Sequence, residues 1–439
     1  MNYCYMCGKE LSDDGIGTTA KRHKEHIIHN GIYGRLKSSA ILCETCGGKY
    51  SGSDAKFVEL FKGFIDLMSP FLYGKDHGSE ERKRIKAYLY PIEGEKTEVV
   101  YHAGKSYPKV PYTIVDDEKK EVTLCANKHR LKDFEKVVLK EHPEYEDYTI
   151  IHKDDVTDGA QIGLFFSEQN PDFNKIFKEG IAKIAIEFAL HSGVDRADIP
   201  EILRVQKDGT CVFDPINAAL IPYTPHFSAE ILVTLAEDMV DVNYPCHILR
   251  LFVDEGEDYR MLVCYVDLFS TFRYYIVLNR NYDGPEVSND YAQRIIAGQD
   301  EDGNALRPEF ELGDSLKKTC GNLIKIINDF YNTGKLPDYM LDKKTFETLL
   351  GTMVADEGLE QVIREIVDSL SIEHYVKHVV YHYDDVEPSV LSAPGKCLDT
   401  AEDDLDKVRE YTNMKFMQLN RFCWNVRIFM TEKYSKMQK

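Results

Sequence analysis

A chain of 439 residues with 74 acidic against 54 Lys and Arg side chains has a formal charge of -20, which repels a polyanion from most directions and excludes a generally basic binding surface. Its 43% hydrophobic content, 28 Gly and 16 Pro exclude a disordered chain and leave room for about two to four packed domains. Met1 leads directly to Cys4 without a basic-then-apolar leader, and no run of about 18 apolar residues follows, so a soluble cytoplasmic protein is expected.

Two C-x-x-C pairs, Cys4 with Cys7 and Cys43 with Cys46, open the chain. A two-residue gap turns both sulfurs of a knuckle towards one ion, so the quartet predicts a single structural Zn2+. The other seven cysteines (Cys125, Cys211, Cys246, Cys264, Cys320, Cys397 and Cys423) are scattered singly, which suits a reducing compartment rather than a disulfide scaffold. The stretch Gly8 to Leu42 is too long for a simple ribbon and must fold between the knuckles. Within it Glu25, His26, Ile27 and Ile28 predict a strand that sends carboxylate and imidazole to opposite faces. Ser39 to Leu42 predicts the returning strand. A helix capped by Asp54, with Phe57, Leu60, Phe61, Phe64 and Leu67 at helical spacing, completes a ββα layout. Between Ala20 and Ala40 the bases Lys21, Arg22, Lys24, Arg35 and Lys37 face one acid, Glu25; they are candidate phosphate contacts, or a solvated rim.

The run EHIIHNGIYGRLKSSAILCETCGGKYSGSDAKF, extended back to the first knuckle, resembles the zinc-knuckle branch of the HNH endonucleases over about the first seventy residues. The resemblance implies a ββα-metal module acting on DNA. His26 would be the general base, and Glu25 a ligand of a catalytic Mg2+ or Mn2+ in metal-assisted phosphodiester hydrolysis. It also implies a bacterial nuclease acting against foreign DNA. Two positions depart from the family pattern: its hairpin asparagine falls on Ala40, and its ligand after the second knuckle on Gly47. His29 stands in the place of a proline, so a re-routed ion site from Glu25, His29 and Asp54 is one consequence. The alternative is a catalytically degenerate zinc-knuckle module that binds nucleic acid or a protein partner.

Charged residues near Lys75 mark the end of this module, 1-75. A mixed α/β accessory domain is expected over 76-285. It contains strands at Tyr88 to Ile92, Glu98 to His102, Tyr112 to Val115 and Glu121 to Ala126, and a core helix from Asp172 to Ser192 with Lys178 and Lys183 off its apolar face. A β-rich meander follows, with a turn at Asp208 and Gly209 and strands at His247 to Asp254, Arg260 to Leu268 and Arg273 to Leu278. The aromatics of that last strand read as core rather than as a stacking platform for bases. The remainder, 286-439, is expected to be mainly helical, from Asp314 to Asn332, Lys343 to Leu370 and Asp403 to Lys439, the last offering a homo-oligomer surface. His374, His378 and His382, followed by Asp384 and Asp385, read as a row of face-sharing histidines or a second metal site. The fold class is therefore α+β in several domains, without a phosphate loop, dinucleotide fingerprint or nucleophile elbow.

Overall fold

The computed structural model describes residues 2–62, 65, 72–74, 84–91, 97–102, 105–156, 160–164, 173–213, 219–222, 228–300, 302–337 and 343–369. The histidine row at 374 to 382, the Asp384 and Asp385 pair and the helix expected over 403 to 439 lie outside them. The architecture is mixed α+β, in two compact units. One takes the described residues within Met1–Val58, Leu72–His77 and Pro171–Lys439, the other those within Glu59–Phe71 and Gly78–Asn170.

The first unit begins with two short ladders, β1 (Leu11–Ser12) parallel to β2 (Ala20–Lys21) and β3 (Glu25–His26) antiparallel to β4 (Lys37–Ser38). The return strand pairs at Lys37 and Ser38, earlier than Ser39 to Leu42. The latter stretch still runs beside the outgoing chain, where the His23 amide donates to the Leu42 carbonyl at 2.9 Å. Helix α1 (Glu44–Leu60) starts directly after Cys43, with Glu44 suited to the positive end of the helix dipole. Asp54 therefore sits inside the helix and is not its cap. Gly47, Gly48 and Gly52 weaken helical propensity here, and burial of Phe57 and Leu60, each 1% exposed, overrides them.

The second unit contains β5 (Ile85–Pro91), β6 (Thr97–His102), β7 (Lys105–Pro108), β8 (Tyr112–Asp116), β9 (Glu121–Cys125), helix α2 (Leu131–Glu141), β10 (Thr149–Lys153) and β11 (Ala160–Leu164). They form a four-stranded antiparallel sheet, β11-β5-β6-β7, and a three-stranded sheet, β10-β9-β8, in which β10 and β9 run parallel. β5, β6, β8 and β9 overlap the four runs that alternation predicted, whereas β7, β10 and β11 were not among them. Helix α2 was not anticipated; it packs Leu131 and Val138 onto Val122 and Leu124.

The first unit resumes with α3 (Phe173–His191), the hairpin β12 (Leu203–Val205) and β13 (Cys211–Phe213), β14 (Ala219–Pro222) and α4 (Ser228–Val240). The meander expected here is thus interrupted by a helix. Then β15 (Cys246–Glu255), β16 (Arg260–Leu268), β17 (Phe272–Asn279) and β18 (Ser288–Arg294) join β14 in an antiparallel sheet of order β14-β17-β16-β15-β18. β15, β16 and β17 are buried on both of the faces that alternation gives a strand. Tyr265, Tyr275, Val263 and Phe252 share a cluster with Leu312, whereas Tyr274, on the opposite face, meets Phe177 of α3 with ring centroids 5.3 Å apart. The aromatics of β17 are core, with Tyr275 fully buried. Helices α5 (Leu312–Thr333), α6 (Lys343–Glu357) and α7 (Leu359–Ser369) pack with α4 around Leu232, Leu323, Phe346 and Ile366. No helix among the described residues is long and apolar enough to cross a membrane.

Candidate functional site

The four knuckle cysteines converge. One ligand sulfur from each of Cys4, Cys7, Cys43 and Cys46 lies within 4.8 Å of all the others, and Cys7 and Cys43 are 3.9 Å apart. A tetrahedral ion with Zn–S bonds near 2.3 Å holds its sulfurs about 3.8 Å apart, so geometry and an all-thiol donor set both fit zinc. Burial pushes the Cys4 thiol up to about 11, a shift that a bound cation would reverse by stabilising the thiolate. Local backbone makes the site: the Cys4 carbonyl accepts from Gly8 at 2.8 Å and the Cys43 carbonyl from Gly47 at 2.8 Å, and Gly8 has a φ of +69°, which glycine adopts without strain. The knuckle is fastened to the body of its unit, since Arg196 donates to the Tyr5 carbonyl at 3.2 Å and the Cys211 amide to Met6 at 2.7 Å.

Beside the knuckle lies a second cluster, centred on a lysine. Lys183 of α3 is 4% exposed. Its Nζ donates to Glu25 Oε1 at 2.7 Å and to Asp54 Oδ2 at 3.3 Å, and lies 3.3 Å from Glu187 Oε1, one turn further along α3. Burial alone would lower the lysine's pKa, but Glu187, Asp54 and Glu25 together raise it, so the ammonium is firmly protonated. Glu187 is fully buried and accepts from the Tyr5 hydroxyl at 3.1 Å; its carboxyl is pushed up to about 8, chiefly by burial and against the pull of Lys183. Asp54 is also raised, by burial first.

Two glycines shape this cluster. A Cβ at Gly180, one turn before Lys183, would lie 2.0 Å from Phe57 Cδ2; its absence lets α3 approach α1 closely enough for Lys183 to reach Asp54. A Cβ at Gly47 would lie 2.7 Å from the His23 ring. The imidazole of His23 thus takes the space a larger residue at 47 would need, and its Nε2 lies 3.0 Å from Glu25 Oε2.

The proposed catalytic residues fall around the same point. Glu25 and Asp54 both meet Lys183. His26, half-buried on β3, stands opposite Lys37, while buried His29 places Nε2 3.7 Å from Asp54 Oδ1 and is held well below the usual imidazole range by burial, then by Lys183 and His26. Among the described residues, only the cysteine quartet brings three or more ligand atoms within 4.8 Å of one another. Glu25, His29 and Asp54 do not converge to that spacing with the Lys183 ammonium against two of them, and in this arrangement they do not fit a divalent ion. Ala40 donates its amide to Ser38 Oγ at 3.3 Å and bears no polar side chain to orient the hairpin.

The basic stretch is mostly committed elsewhere. Lys21 pairs with Glu44 at 2.7 Å and Arg22 with Asp13 at 3.3 Å. Arg35 donates to the Gly74 carbonyl at 2.8 Å and lies 5.6 Å from the Tyr73 ring centroid. Lys24 is exposed and Lys37 half-buried. A different basic concavity lies in the second unit, a cleft of about 430 Å³ lined by Arg84, Lys86, Lys109, Arg130, Tyr107 and Glu98. Glu98 pairs with Lys109 at 2.7 Å and Lys86 at 3.7 Å, so the lining has an excess of positive charge.

Sequence reading missed Lys183 and Glu187, whose i, i+4 spacing on α3 was the one visible signal, and it missed the basic cleft, whose residues are scattered between positions 84 and 130. The chain matches no protein-family model, no curated protein and no solved structure.

Proposed function

We propose that this chain engages the backbone of nucleic acid without metal-dependent cleavage, its N-terminal region being a degenerate HNH-like zinc-knuckle module and the basic cleft of its second unit supplying the phosphate contacts. One observation carries the reading: the Lys183 ammonium lies against both Glu25, the acid that the HNH resemblance assigns to the ion, and Asp54, the carboxylate of a re-routed ion site. A buried, protonated ammonium among three acids is strongly held, because removing it strands their charge. The order β3, β4, α1 beside the cysteine quartet supports the module's descent, and the excess of cations in the second unit's cleft supports a phosphate-bearing partner.

A second reading is favoured by the gathering of Glu25, His29, Asp54 and His26 within one hairpin and helix. In it the chain is a metal-dependent HNH-type endonuclease of DNA, with His26 as general base, serving defence against foreign DNA. The two separate in one experiment. Supercoiled plasmid, single-stranded DNA and RNA are incubated with the native chain and with His26→Ala, with Mg2+, Mn2+ or no added ion, and binding is followed by mobility shift. Binding with intact substrate throughout is expected. Metal-dependent cleavage abolished in His26→Ala would overturn the binding reading in favour of the nuclease; binding of neither DNA nor RNA would turn the search to a protein partner.

A further inference from the structure

Three acidic side chains and one ammonium meet at a largely buried point, with Asp54, its side chain 23% exposed, at the rim. Glu25 is 5%, Lys183 4% and Glu187 0% exposed. Counted formally, the three carboxylates of Glu25, Asp54 and Glu187 exceed the single lysine by two negative charges. They reach it from three different elements, β3, α1 and α3, at 2.7, 3.3 and 3.3 Å. Such convergence of oxygens from separate elements on one cation is what a hard-metal site looks like, except that metal–oxygen distances would be near 2.1 Å for an ion such as Mg2+. His29 adds a nitrogen beside Asp54, of a kind that transition metals accept.

We propose that Lys183 is a built-in cation standing in the place of a divalent ion, and that it masks a latent metal site formed by Glu25, Asp54 and Glu187. Gly180 and Lys183 act together: the glycine brings α3 against α1, and the lysine delivers the charge. In the native chain the cluster is complete without a metal. When the ammonium is removed, the carboxylates need only close by roughly 1 Å to coordinate a dication, which would also offset two of their three formal negative charges. The inference rests on reading Glu25 and Asp54 as a former ligand pair, but not on nucleic-acid binding.

Mn2+ is the probe, because its free-ion paramagnetic resonance signal disappears on binding and it competes poorly with zinc for thiolates. Titrated into the zinc-loaded native chain, Mn2+ is expected to remain free at submillimolar concentration and to leave the melting temperature unchanged. Lys183→Ala, and Lys183→Met as a variant that keeps the apolar bulk, are expected to bind about one Mn2+ per chain at least tenfold more tightly and to melt higher with it than without. Adding Glu25→Gln should abolish both effects. The idea is overturned if the native chain binds Mn2+ in a manner that Glu25→Gln removes, or if a folded Lys183 variant binds none. It is equally overturned if neither variant folds with Mn2+ present, since a competent site would restore the missing charge. A failed mobility shift with an unmasked Mn2+ site would discard the nucleic-acid reading and leave this one standing.

Discussion

His247 shows how one buried side chain ties the N-terminal hairpin to the central sheet. It is fully buried on β15, its Nε2 lies 3.0 Å from the Ile32 carbonyl, and its Nδ1 accepts the Phe269 amide at 3.2 Å. The two partners fix a neutral tautomer, since a proton on Nδ1 would point at an N–H group. Burial lowers its pKa to about 4, against the opposing pull of the Ile32 carbonyl. Because the folded pKa is depressed below the unfolded value near 6.5, the unfolded chain binds more protons between these limits. Stability is therefore full above about 6.5 and declines as pH falls towards 4, by roughly 3 kcal/mol for this group. Following the imidazole by NMR should show a neutral ring down to about pH 4; a midpoint near 6.5 would mean that the two hydrogen bonds do not hold. Nothing in the sequence marks His247, because its partners lie at Ile32 and Phe269, one of them more than two hundred positions away. Lys183 escaped for the same reason. A lysine off the apolar stripe of a helix reads as solvent-facing, and only the close approach at Gly180 turns it inward.

At the level of elements, the zinc knuckle fixes the start of α1 and the neighbouring run of the hairpin together. Cys43 and Cys46 flank Glu44 at the helix start, and the Tyr5 amide donates to the Ile41 carbonyl at 2.9 Å, as the His23 amide does to Leu42. These ladders are only two residues long, too short to persist on their own. Structural zinc supplies about 10 kcal/mol or more of folding free energy in small sites. Cys43→Ser should accordingly lose the metal, close to one zinc per native chain, and the Tyr5 and His23 amides should exchange orders of magnitude faster. A folded, protected and zinc-free native chain would contradict it. The cysteine spacing made this element legible, and alternation did the same for β5, β6, β8, β9 and β15 to β17. The early start of α1 was hidden by Gly47, Gly48 and Gly52, and α4 by the strand-rich sequence around it. In both cases tertiary burial, of Phe57 in one and of Leu232 and Ala236 in the other, decides what local preference leaves open.

For the whole molecule the central tension is between a formal charge of -20 and a proposed polyanionic partner. Such a field disfavours approach from most directions, so any phosphate contact has to be local. The stretch from Lys21 to Lys37 is a poor candidate, because Glu44 and Asp13 already neutralise Lys21 and Arg22. The cleft of the second unit is better: Arg84, Lys86, Lys109 and Arg130 set four cations against Glu98. An incoming phosphate would compete with Glu98, the one acid in the lining, for Lys109. Each phosphate neutralised contributes about 0.9 to the slope of log K against log salt on duplex DNA. Lys109→Ala with Arg130→Ala should therefore flatten that slope by up to about 2 and weaken binding at least tenfold at low salt, while Arg22→Ala with Arg35→Ala should leave the slope nearly unchanged. The reverse pattern would return the contact to the zinc-knuckle module and leave the cleft without a role in nucleic-acid binding.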